Sequence, residues 1–204
     1  MASENKGLLV VVSAPSGCGK DTVLSELQTK EIDIKRSVSM TTRSMRDGEV
    51  DGVDYFFTTV DDFKSKIEQN YFIEYVNYGL NFYGTPKKAV DEMLENGCCV
   101  VLKIEVEGAG NIRRLYPDCV SVFIVPPSIE ELKKRLIGRG TENAEEFSRR
   151  VKIAENELKR ANEYDYVVVN DDLSQCVDDI CCILKAESHK YGHMKNFVNK
   201  LTNN

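Results

Sequence analysis

An apolar run, Leu8–Ser13, leads directly into Ala14-Pro15-Ser16-Gly17-Cys18-Gly19-Lys20-Asp21-Thr22. Beyond that turn, Val23, Leu24 and Leu27 fall at helical spacing. A buried strand, a glycine turn ending in lysine and then a helix make up the context that a phosphate-binding loop requires. Gly17 and Gly19 let backbone N–H groups turn inward around phosphate oxygens. The helix N-terminus behind them adds partial positive charge, and Lys20 reaches in as a point charge. Two positions depart from the GxxxxGK[ST] pattern. Ala14 replaces the first glycine, which is tolerable where the backbone keeps a negative φ. Asp21 replaces the Ser or Thr that normally binds Mg2+, and Thr22 offers a hydroxyl one position later. A carboxylate about 6 Å from one phosphate charge costs roughly 3 kcal/mol at an effective dielectric near 20, and a bound cation reverses that sign. Asp21 is therefore a candidate metal ligand, either directly or through water.

Further strands are expected at residues 98–106, 120–125 and 166–169, where short apolar runs end in turn residues. Helical patterns occupy 86–95, 129–136, 144–161 and 173–187. Short apolar strands alternating with amphipathic helices predict an α/β chain with a parallel sheet covered on both faces. Residues 37–84 break that rhythm. Their aromatic-rich pieces at 55–58, 72–76 and 82–83, with a helix near 61–69, read as an inserted α+β subdomain. The core is then 1–36 together with 85–204. Residues 138–150 read as a small lid on the long helix, and 196–204 as a frayed tail.

The 27 basic and 33 acidic residues give a net charge of −6. That balance argues against a protein that coats nucleic acid or an anionic membrane through bulk charge. The polar start, MASENKG, and the short apolar run after it do not make a signal peptide, and no stretch approaches a membrane span. Seven cysteines, an odd number and mostly inside apolar runs, read as buried thiols in a reducing cytoplasm. No CxxC-type spacing suggests zinc, and the pair His189 and His193 is too small a set for a metal.

A second cluster follows the phosphate loop. Ser39-Met40-Thr41-Thr42-Arg43-Ser44-Met45-Arg46 places two arginines and several hydroxyls beside a turn, with Tyr55 soon after. Arginine forks with Tyr and Ser hydroxyls suit a phosphate monoester. Taken with SAPSGCGK, SVSMTTRSMRDGEVDGVDYFF, FIEYVNYGLNFYGT, PPSIEELKKRLIGRGT and VVVNDDL, the chain resembles the guanylate kinase family from about residue 7 to 184.

The resemblance implies transfer of the γ-phosphate of ATP to GMP or dGMP, with Mg2+, in purine nucleotide metabolism. It implies that Ala14, Pro15, Ser16, Gly17, Cys18, Gly19, Lys20, Asp21 and Thr22 hold ATP phosphates. Arg135, Arg139 and Arg150 approach them from the lid side, and Asn170 lies near the adenine end. Ser39, Arg43, Arg46, Tyr55 and Tyr83 would hold the GMP phosphate, while Glu74, Thr85 and Glu105 would read the base. Lys20, Arg43, Arg135, Arg139 and Arg150 are the expected catalytic cations. Guanine offers N1–H and N2–H2 as donors and O6 as an acceptor, so a carboxylate that accepts and a Thr hydroxyl that donates to O6 suit it. Adenine would leave those groups unpaired. The expected partners are nucleotides, with the protein as monomer or homodimer.

The chain departs from the family at Leu102-Lys103-Ile104-Glu105-Val106-Glu107-Gly108. Family members usually read Asp or Glu, Ile, Asp, then Gln before the glycine. Lys103 here replaces an acid, Glu105 lengthens one, and Glu107 replaces the Gln. Lys103 falls on an expected central strand, where an unpaired ammonium is costly. Since Lys103 and Asp21 depart in opposite charge, they are expected to pair. A binding module on the same scaffold, and a kinase for another phosphate ester, remain as alternatives. Intact Gly17, Gly19 and Lys20 count against the first, and Glu74, Thr85 and Glu105 against the second.

Overall fold

The computed structural model describes residues 7–30, 33–137 and 144–202. Nine strands are described: β1 Leu8–Ser13, β2 Ile34–Arg36, β3 Met40–Thr41, β4 Phe56–Phe57, β5 Phe72–Tyr78, β6 Asn81–Pro86, β7 Cys99–Lys103, β8 Val120–Val125 and β9 Tyr166–Val169. The α-helices are α1 Lys20–Leu27, α2 Val60–Glu68, α3 Lys87–Glu95, α4 Val106–Leu115, α5 Ile129–Ile137, α6 Ala144–Leu158, α7 Leu173–Ser188 and α8 Tyr191–Thr202.

The main sheet is parallel throughout, in the order β2-β7-β1-β8-β9. Its central strand explains why the sequence reads as an unbroken apolar run. Leu8, Val10 and Val12 pack into one core with α1, α5, α6 and α7, while Leu9 and Val11 face a second core with α3 and α4. Neither face meets water, so alternation disappears. Each fully buried Val contributes on the order of 1.5–3 kcal/mol.

A second sheet, in the order β4-β3-β6-β5, carries α2 against it through Phe63, which stacks on Phe72 and Phe82. β5 and β6 are antiparallel, and a register shift between Phe72 and Glu74 sets Glu74 directly opposite Thr85. Such an irregularity re-aims a side chain.

Three expectations change. The strand expected at 98–106 stops at Lys103, and a new helix, α4, starts at Val106 with Glu105 in the N-cap position. The helix expected to reach residue 161 stops at Leu158, and a 3-10 turn covers Ala161–Glu163. Residues 196–202, expected to fray, continue α8. Residues 138–143 of the lid segment, Arg139 among them, lie outside the described residues.

Candidate active site

β1 delivers the phosphate loop at the carboxyl edge of the parallel sheet, where crossover helices open their N-termini. Gly17 and Gly19 adopt φ of 89° and 82°, and α1 starts immediately after Gly19. Among the described residues, Asn70 is the one non-glycine with positive φ, so Ala14 needs no glycine. The loop surrounds a hollow of about 150 Å3, lined by residues 14–21 and by Glu105.

Lys20 Nζ lies 3.0 Å from Glu105 Oε1 and donates to the Ile104 carbonyl at 3.3 Å. Burial disfavours the Lys20 charge, but Glu105 and Asp21 outweigh it and raise its pKa. Cys18 has no exposed surface, and burial pushes its thiol up to about 12, so it packs rather than reacts.

Arg150 donates to the Ser16 hydroxyl at 2.9 Å, which brings α6 to the loop. Arg135 donates to the Asn170 carbonyl at 2.9 Å. Asn170, expected near adenine, is buried against the loop. Its amide donates to the Cys18 carbonyl at 2.8 Å, which makes it a brace for the loop's main chain.

A second pocket of about 290 Å3 adjoins the first. Arg43, Arg46, Tyr55 and Tyr83 line it with Arg36 and Lys103. Arg43 is held by Glu49 in a fork, with N–O distances of 2.9 and 2.7 Å, and sits over the Tyr55 and Phe57 rings. The Glu49 carboxylate also accepts the Arg46 N–H at 2.8 Å. Tyr55 and Tyr83 meet edge to face at 6.0 Å. Ser39 contributes through its main chain, its carbonyl accepting from Phe56 N–H at 2.9 Å.

Glu74 lies deeper, on β5. Thr85 donates to its Oε1 at 2.8 Å, while Oε2 is buried without a partner. Burial lifts the Glu74 pKa to about 7; the Thr85 bond opposes that shift and the charge of Glu105 adds to it. The Thr85 hydroxyl, expected to donate to a base O6, directs its single hydrogen to Glu74 in this arrangement.

Asp21 is corrected as a direct metal ligand. Its carboxylate takes the Lys103 ammonium at 2.9 Å, as the opposite departures predicted. Burial alone would raise the Asp21 pKa, but Lys103, Lys20 and Arg36 hold it below the usual carboxylate range. A carboxylate neutralised by an ammonium does not fit inner-sphere Mg2+ binding. Among the described residues, no group of three or more His, Cys, Asp or Glu side chains could hold a metal.

Sequence reasoning passed over Arg36, Glu49 and Glu157. Arg36 Nε is buried without a partner in the second pocket; with Asp33, Lys35 and Ser37 around it, the local sequence carried no signal of that burial. Glu157, on α6, is lifted to about 7 mainly by burial, and accepts a backbone bond from Ser16 in the loop. A larger cavity of about 620 Å3 lies at the opposite, amino edge of the sheet, beside Leu9, Val120 and Tyr166. Its Lys190 is paired to Glu187 at 2.7 Å.

A parallel sheet with a glycine loop, buried lysine and adjoining arginine pocket defines a P-loop nucleotide-binding phosphotransferase. A sequence model of the guanylate kinase family matches residues 6–187. A guanylate kinase of Oceanobacillus iheyensis is 47% identical over 187 residues, covering 92% of this chain and 91% of that protein. A guanylate kinase of Clostridioides difficile is also 47% identical, over 193 residues, covering 95% and 94%. The crystal structure of guanylate kinase from Anaplasma phagocytophilum superposes with a TM-score of 0.79 at 35% identity, covering 93% of this chain and 90% of that one. The chain belongs to the guanylate kinase family.

Proposed function

We propose that this chain is a guanylate kinase that transfers the γ-phosphate of ATP to GMP or dGMP, giving ADP and GDP. One observation carries the choice of acceptor. Glu74 Oε2 is a buried acceptor without a donor, beside Thr85 on β6, the strand that also carries Tyr83 of the arginine- and tyrosine-lined pocket. Guanine N1–H and N2–H2 supply donors for such a group. An adenine would face it with an acceptor, and the unmet desolvation cost would reject that base.

The chemistry asks for placement and charge neutralisation more than for covalent help. Arg46, Tyr55, Tyr83 and Arg43 would hold the acceptor phosphate, with Ser39 shaping the strand behind it. Lys20 and the N–H groups of residues 14–22 would hold the ATP phosphates, with Arg135, Arg139 and Arg150 covering the transferring group. Asn170 would keep the loop in shape. Mg2+ brought with ATP would supply charge neutralisation at its phosphates. No general base is required, because the acceptor oxygen is already anionic. The second sheet, within residues 37–84, would act as the acceptor-binding unit against the core formed by 1–36 and 85–204. Closure of that unit and of the lid, 138–150, would exclude water from the γ-phosphate.

A coupled assay of ADP formation with ATP and GMP, AMP, CMP or UMP tests the reading. Turnover with GMP is expected to exceed the others by orders of magnitude. Turnover on none of them would leave a nucleotide-binding module instead.

A further inference from the structure

Lys103 ends β7, in register with Val12 on β1, two residues before the phosphate loop opens. Its side chain is only 14% exposed, with Nζ 2.9 Å from Asp21 Oδ1 and 4.8 Å from the centre of the Tyr55 ring. It lines the same pocket as Arg43, Arg46, Tyr55 and Tyr83.

The cations there differ in how free they are to meet a ligand. Arg43 and Glu49 hold each other with 14% and 20% of their side chains exposed, so separating them strands a half-buried carboxylate. Asp21, by contrast, is 69% exposed, so water can take over its other contacts. An ammonium also carries three donors. Lys103 can therefore keep Asp21 and still present N–H groups to the pocket.

The geometry points to Lys103 as a further phosphate-binding residue, donating to the acceptor's monophosphate beside Tyr55, with Asp21 as the positioning group that aims it. This rests on the proposed reading of the pocket as the acceptor site. A cation at this place serves a dianion, not a metal, so the strand end contributes charge to the substrate directly. Lys103 would meet the nucleoside monophosphate through its phosphate alone and leave the reading of the base to Glu74.

Calorimetric titration of the full chain, without ATP or divalent metal, tests it. GMP and guanosine are titrated into the unsubstituted protein, Lys103→Met and Lys103→Arg. Lys103→Met is expected to weaken GMP binding by roughly tenfold to a hundredfold, the range of a charged hydrogen bond. Guanosine binding should stay unchanged, and Lys103→Arg should recover most of the GMP affinity. Equal GMP affinity in Lys103→Met would overturn the inference. So would equal losses for GMP and guanosine, which would mark a structural role. An unsubstituted protein that binds guanosine but gains nothing from the phosphate of GMP would also overturn it. One that binds neither would instead remove the acceptor-site reading beneath it.

Discussion

Glu74 keeps one carboxylate oxygen paired to Thr85 and leaves the other buried and unmatched, which is how a specificity group waits for donors. Its charged form is the one that accepts from guanine, and burial has lifted its pKa to about 7. Below that pH the empty pocket holds a carboxylic acid. GMP affinity is therefore expected to fall as pH drops below 7, approaching about tenfold per unit. KM for GMP measured from pH 5.5 to 8, with KM for ATP as the control, reads this directly. Glu74→Gln sets an amide where a carboxylate was and should cost roughly a hundredfold or more in kcat/KM for GMP. Gly108→Ala acts on the same oxygen from the other side. Its Cβ would lie 2.5 Å from Glu74 Oε2 and 2.6 Å from Ile104 Cγ2. A matching loss of GMP affinity with ATP affinity kept is the expected result. The identities of Glu74 and Thr85 were legible in their motifs, and the Lys103–Asp21 pair in their opposed charges. The direction of the Thr85 bond was not, because it depends on a cross-strand register that a bulge sets. Nor was the capture of Arg43 by Glu49, since an acid near an arginine-rich turn has many solvated alternatives.

The phosphate loop is the element whose sequence and structure agree most closely, because steric rules leave little choice there. Gly19 stands at φ 82°, and a Cβ on it would lie 2.6 Å from the Asn170 amide nitrogen. Gly19→Ala thus forces a left-handed alanine, costing roughly 1–2 kcal/mol, and also displaces the brace. A fall in Tm of at least ~2–4 °C is expected for a chain of this size, with a raised KM for ATP; thermal unfolding and initial rates check both. α4 went unseen for a physical reason. Gly108 and Gly110 depress helix propensity in Val106–Leu115, yet Gly108 must stay small where Glu74 approaches. α8 went unseen because none of its residues is buried, so no apolar face imposed a clear period. β2 has three residues, too few to carry a pattern.

At the scale of the whole molecule, the parallel sheet was legible because burial on both faces writes itself into β1, β7 and β8 as continuous apolar runs. No described helix is long and apolar enough to cross a membrane. Packing also lifts two carboxyl groups, Glu74 and Glu157, each to about 7 from 4.5 and chiefly through burial. The native state then holds protons that the unfolded chain has released between those values. Stability contributed by these two groups falls as pH rises from 4.5 to 7 and is level above it. Tm of the nucleotide-free protein is expected to be higher near pH 5.5 than at pH 8, and Glu74→Gln should flatten part of that slope. Glu105 raises a different matter. It borders both pockets and holds Lys20 at 3.0 Å. If guanine draws Glu105 away, Lys20 is released for the other nucleotide. Thermodynamic reciprocity then requires each ligand to tighten the other by one common factor. One carboxylate shared between two neighbours would make the sites a single bookkeeping unit, so that this enzyme counts its two substrates together.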